Sequence, residues 1–132
     1  MIQIKRIYEP ASDDDGTRIL VDRIWPRGIS RFDARIDFWD KDIAPTAELR
    51  KWFGHRPERW KEFQKRYRAE LKDNPALEDA RSLTRRRRVT LLYAARDTEH
   101  NHAIVLRSVL SHLPRKKRKV PSRSSAGTAK RG

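Results

Sequence analysis

The sequence predicts a small α/β domain, a two-layer or three-layer structure with a mainly parallel short sheet flanked by helices. Three observations carry that prediction. TRILVDRI (17–24), rich in β-branched residues and more continuously apolar than the N-terminal segment, and VTLLYA (89–94) read as buried strands. Helix-period apolar patterns separate and follow them, and strands alternating with helices favour a parallel sheet. Four Trp, four Phe and three Tyr supply enough bulk for a core in a chain of 132 residues, a length suited to one domain.

The elements follow in order. Ile2, Ile4 and Ile7-Tyr8 around Lys5 and Arg6 read as a first strand with one solvated face. Asp13-Asp14-Asp15-Gly16 reads as an acidic turn and lacks the spaced ligands of a calcium loop. The strand over 17–24 should stop at Trp25-Pro26-Arg27-Gly28, because Pro26 removes a donor and Gly28 permits positive φ. Phe38 to Asp42 reads as a short extended piece. Pro45-Thr46 opens a helix through Leu49, Trp52 and Phe53 that Gly54 stops. Pro57 suits the first position of the next helix, where Trp60, Phe63, Tyr67 and Leu71 form one apolar stripe until Asn74-Pro75 breaks it. A helix over about 76–86 turns Leu77, Ala80 and Leu83 inward. After the strand at 89–94, Asp97 or Thr98 is expected to cap a last helix carrying Ala103, Leu106, Leu110 and Leu113 on one face.

Charge divides the chain. There are 32 Lys and Arg against 18 Asp and Glu, a formal net charge of +14. Residues 114–132 hold eight of the cations and no acid, which leaves +6 on residues 1–113. Such a segment has too little apolar surface to offset its ordering entropy, so a domain over 1–113 and a disordered basic tail over 114–132 are expected. The absence of cysteine excludes disulfides, thiolate-ligated zinc and thiol nucleophiles. No apolar run approaches the roughly 20 residues a bilayer span needs. MIQIKRIYEP has no signal-peptide core, so the cytoplasm is the expected location, with no membrane partner.

Two segments leave strands at what a parallel sheet would make the ligand-binding end. In the first, Arg23 and Arg27 offer bidentate donors to a phosphate or carboxylate, Trp25 offers a stacking surface and Asp22 a base. In the second, Asp97 and His100 are the candidate proton carriers and Asn101 a further ligand-binding side chain, ahead of a helix N-terminus that favours anions. Each also has an ordinary structural reading. Asp97 and Thr98 are common caps, Arg23 can tie loops together, and Trp25 can sit in a core or on its rim. His100 and His102 are more often surface residues, and at i and i+2 they cannot share a helix face. The four His lack metal-ligand spacing, so neither a metal nor another cofactor is expected. Arg85 to Arg88 reads first as a solvated cluster complementing a helix C-terminus.

The body resembles the YeaO-like group of bacterial and archaeal proteins, within the larger set called domain of unknown function 488. The matching stretches are RILVDRIWPRG (18–28), FWDKDIAPTAELRKWFGH (38–55), PERWKEFQKRY (57–67) and VTLLYAARDTEHNHAIVL (89–106). Together they cover about residues 2–113. The resemblance implies a compact α/β domain whose signature loops are VDRIWPRG and YAARDTEHN, and it transfers no reaction. More distant relatives carry cysteines in the second loop; here Tyr93 and Asn101 stand at those positions, so thiolate chemistry is excluded for this chain. Many close relatives have Asp before the PERW helix, where this chain has Arg56, which forfeits a cap worth about 1 kcal/mol.

Two functions follow as expectations. In the first, the domain binds or processes a small phosphate- or carboxylate-bearing ligand at the strand C-terminal ends. In the second, the chain associates non-specifically with nucleic acid through Arg115, Lys116, Lys117, Arg118 and Lys119. No sequence-specific DNA-reading motif is present in the body.

Overall fold

The computed structural model describes residues 1–112. The predicted tail over 114–132, with its cation run, lies outside the described residues. Four strands, β1 (Ile2–Arg6), β2 (Thr17–Leu20), β3 (Phe38–Trp39) and β4 (Val89–Tyr93), form one sheet in the order β1-β4-β2-β3. Every pairing is parallel. The helices are α1 (Arg31–Ala34), α2 (Ala47–Phe53), α3 (Trp60–Lys72), α4 (Pro75–Arg86) and α5 (His102–Ser111). Fold class and parallel sheet agree with the sequence reading.

β4 is inserted between β1 and β2 and all five of its residues are buried. Its side chains alternate between two apolar clusters. Val89, Leu91 and Tyr93 join Ile19 and the inward stripes of the long helices, including Phe63, Tyr67 and Leu71 of α3, Leu77 of α4 and Leu106 of α5. Leu92 faces the other way and meets Leu20, Ile7 and Ala34, with Trp25 and Trp39 packed alongside. The sheet therefore carries α2 to α5 on one face. The segment from 21 to 37 with its single-turn α1 covers the other.

Local chemistry sets the helix limits. Thr46 caps α2 through its hydroxyl, which accepts from Leu49 N–H, and Gly54 at φ 53° ends that helix in the left-handed region. Asn74 accepts from Ala76 N–H to cap α4, with Pro75 in the first turn. Arg56 makes no side-chain cap ahead of the Pro57–Arg59 turn, as its replacement of a capping residue implies. Tyr67, wholly buried, donates its hydroxyl to the Ile43 carbonyl at 2.6 Å and so fastens α3 to the β3–α2 connection.

Three expectations are corrected. β2 ends at Leu20 rather than Ile24, since the Val21 carbonyl accepts from His102 Nε2 and Ala94 N–H donates to the Asp22 carboxylate. Side chains thereby replace the next rungs of the ladder. α5 starts at His102 and its cap is Asn101, not Asp97 or Thr98. The face of β1 bearing Lys5 is only partly solvated, for it lies against a buried carboxylate. Asp15, 1% exposed, accepts from Lys5 Nζ at 3.0 Å, Arg18 Nη1 at 2.6 Å, Gln3 Nε2 at 3.1 Å and Ser12 N–H at 3.0 Å. Burial raises its pKa, but the Ser12 N–H and the Lys5 and Arg18 donors outweigh burial and hold the carboxyl below its ordinary value.

A cleft at the carboxyl ends of two strands

The chain leaving β2 and the chain leaving β4 meet at one end of the sheet and bound a cleft of about 600 Å³. Asp22, Arg23, Asp97, His100 and Asn101 all line it. Five of the seven candidate residues from the two loops are thus brought together. Trp25 and Arg27 are not. The Trp25 ring lies with the second apolar cluster, 5.3 Å from Trp39, and its Nε1 donates to the Ile29 carbonyl. Arg27 is exposed and uses its carbonyl to accept from Tyr8 Oη at 2.7 Å. Only the first three residues of the DRIWPRG segment line the cleft with the second loop, since the chain then turns toward the second apolar cluster.

The lining residues are mostly engaged with one another or with backbone. Arg23 donates Nε to the Pro45 carbonyl and Nη2 to the Ala44 carbonyl, both at 3.1 Å, pinning the connection that enters α2. Asp22 holds the Ala94 N–H at 3.1 Å through one oxygen. Its other oxygen lies 3.0 Å from His102 Nε2, whose N–H is directed instead at the Val21 carbonyl 2.9 Å away. That carboxylate oxygen is buried and lacks a well-aligned donor among the described residues.

Asp97 organises the second loop. One oxygen accepts from the Glu99 and His100 N–H groups at 2.8 and 2.9 Å, and the other contacts His100 Nδ1 at 2.9 Å. The Glu99 N–H, then the His100 side chain, hold the Asp97 carboxyl below its usual value. The imidazole of His100 is further fixed edge-on against Trp60, with ring centres 5.3 Å apart. Asn101 is 2% exposed; its amide donates to the Asp97 carbonyl and its oxygen accepts from Ile104 N–H. This expected ligand residue is occupied as a helix cap.

Four cleft residues escaped the sequence reading as candidates: Arg50, His55, Arg96 and His102. Arg50 sits on the outer face of α2, and His55 follows the helix-stopping Gly54 in a left-handed conformation, φ 57°. No local pattern marks His55, because its left-handed conformation after Gly54 is visible only in the fold. His102 was set aside because i and i+2 diverge on a helix, yet only His102 is helical and both imidazoles line the cleft. Phe53, Phe63, Ala44, Pro45 and Ile24 supply apolar wall. Among the described residues no three His, Asp or Glu side chains gather as metal ligands, and no helix is long and apolar enough to cross a membrane.

The profile of the DUF488-N3i family, described as the inactive DUF488-N3 subclade, matches residues 1–128. An uncharacterized protein of Mycobacterium tuberculosis strain H37Rv is 48% identical over 110 residues, 83% of this chain and 93% of that relative. The uncharacterized protein YeaO of Escherichia coli is 45% identical over 116 residues, 85% of this chain and 98% of that relative. No solved structure matches the chain.

Proposed function

The chain belongs to the YeaO-like DUF488 family, and from that premise we propose that it is a binding domain whose cleft holds a small phosphate- or carboxylate-bearing ligand without transforming it. The observation that carries this is the division of labour in the cleft. Arg50 and Arg96 are exposed at its edge and make no hydrogen bond or ion pair through their side chains among the described residues, so their donors are free for an anion. The first turn of α5 opens on the same space and adds its favourable field. Apolar walls from Phe53, Phe63 and Pro45 suit a ligand with a hydrocarbon or aromatic body.

Asp22, Asp97 and His102 are committed to structural contacts. Asp97 accepts from two backbone N–H groups, contacts His100 Nδ1 and is held below the usual carboxylate range, which makes it a weak proton acceptor near neutrality. His102 and Asp22 hold the ends of β2 and β4 together. With no cysteine in the chain, and Tyr93 and Asn101 buried at the positions where more distant relatives carry cysteines, the loop offers no thiol nucleophile. The description of the subclade as inactive agrees with this reading.

The test uses phenyl phosphate, benzoate and inorganic phosphate as probes of the full chain, followed by Trp60 fluorescence and calorimetry. Phenyl phosphate is expected to bind more tightly than inorganic phosphate, because only the former uses the apolar walls. Replacing Arg50 and Arg96 together by Ala should weaken it about tenfold or more at unchanged thermal stability. Failure of every probe to bind, or binding indifferent to both arginines, overturns the proposal.

A further inference from the structure

At the opposite end of the sheet, four consecutive arginines, Arg85 to Arg88, close α4 and lead into β4, and all four are exposed. None forms an ion pair with a carboxylate among the described residues. Arg86 Nε and Arg88 Nη1 make only 3.3 Å contacts to the Ser82 and Asp14 carbonyls. A helix C-terminus is served by one or two cations in its last turn, and four adjacent ones repel each other. A helix end alone does not account for this cluster.

Arg81 Nη2 reaches the Val109 carbonyl at 3.4 Å and ties α4 to the last turns of α5, so the helix that ends in the arginine run is fastened to its neighbour.

We propose that Arg85, Arg86, Arg87 and Arg88, at this end of the sheet, form a docking surface for the sugar–phosphate backbone of duplex nucleic acid. Guanidinium forks match phosphodiester oxygens, and a row of them matches a row of phosphates better than any single small anion. The apolar positions of α4, Leu77 and Ala80, are buried against the core, so the surface has no helix face to insert into a bilayer. Aromatic stacking platforms for single strands are also missing from this run. Backbone contacts alone give binding without sequence preference.

The experiment is fluorescence anisotropy of a labelled 20-base-pair duplex with the full chain, over a series of KCl concentrations. Parallel arms use vesicles containing anionic phosphatidylglycerol. Replacing Arg85, Arg86, Arg87 and Arg88 by Gln should lower the slope of log K against log salt by about 3 and weaken binding at least tenfold at low salt. The same loss should appear when Arg115, Lys116, Lys117, Arg118 and Lys119 are already Gln. The fourfold Arg→Lys variant should keep the slope. Should the fourfold Gln variant misfold, Arg85→Gln with Arg87→Gln, which break no hydrogen bond among the described residues, should still lower the slope by between about 1 and 2. A slope that responds only to the tail substitutions overturns the proposal, and so does tighter binding to the vesicles than to the duplex at equal salt.

Discussion

At the scale of single residues, Asp15 shows how much the fold depends on one buried carboxylate. It joins β1 through Lys5 and Gln3 to β2 through Arg18, and its carbonyl accepts from Thr90 Oγ1 of β4. Asp15→Ala would leave the Arg18 guanidinium, itself 5% exposed as a residue, without its counter-charge, and should cost about 3–5 kcal/mol in urea denaturation. The pH dependence follows in sign. A carboxyl held below its unfolded value contributes stability above its ordinary value of 3.8, and loses it as pH falls through the lower folded value. Asp97 shifts in the same direction, so acid should loosen the 97–101 loop as well. In an Asp15→Asn variant the acid limb of the stability curve should flatten, read by circular dichroism; an unchanged limb would contradict the role given to Asp15. The sequence revealed the 13–15 turn but not that its third member is buried, because burial depends on side chains of three strands far apart in sequence.

At the scale of elements, legibility followed the range of the forces involved. The stripe Trp60, Phe63, Tyr67 and Leu71 and the fully apolar β4 were readable because one element alone sets their periodicity. The end of β2 and the start of α5 were misplaced for one shared reason. His102 donates to the Val21 carbonyl and Asp22 accepts from Ala94 N–H, contacts that span 81 and 72 residues and that no local pattern encodes. Helix α1 is a single turn capped by Ser30, too short to show a period. Asn101→Ala should remove the α5 cap and the tie to the Asp97 carbonyl, lowering stability by about 1–2 kcal/mol, measurable as a shifted denaturation midpoint. Gly16→Ala should be at least as damaging. A Cβ there would lie 2.4 Å from the Arg88 carbonyl oxygen, at φ 66°.

At the scale of the whole molecule, the parallel sheet separates two chemistries. Carboxyl ends of β2 and β4 meet at a cleft where Arg50 and Arg96 have no side-chain partner among the described residues and an apolar wall stands opposite, and the amino end of β4 carries the arginine run. The net charge of +14 alone pointed to a polyanion and said nothing of the cleft; only the fold assigns its parts to separate ends. Occupying the cleft with phenyl phosphate should accordingly leave the salt slope of duplex binding unchanged. The most direct test of the binding-domain reading is an amide chemical-shift titration of the isotope-labelled full chain with phenyl phosphate. Saturable shifts are expected at Arg23, Arg50, His55 and residues 94–101, with no slow conversion of the probe to phenol. Shifts scattered over the sheet face around Trp25 and Trp39, or release of phenol at a rate that scales with protein, would contradict it.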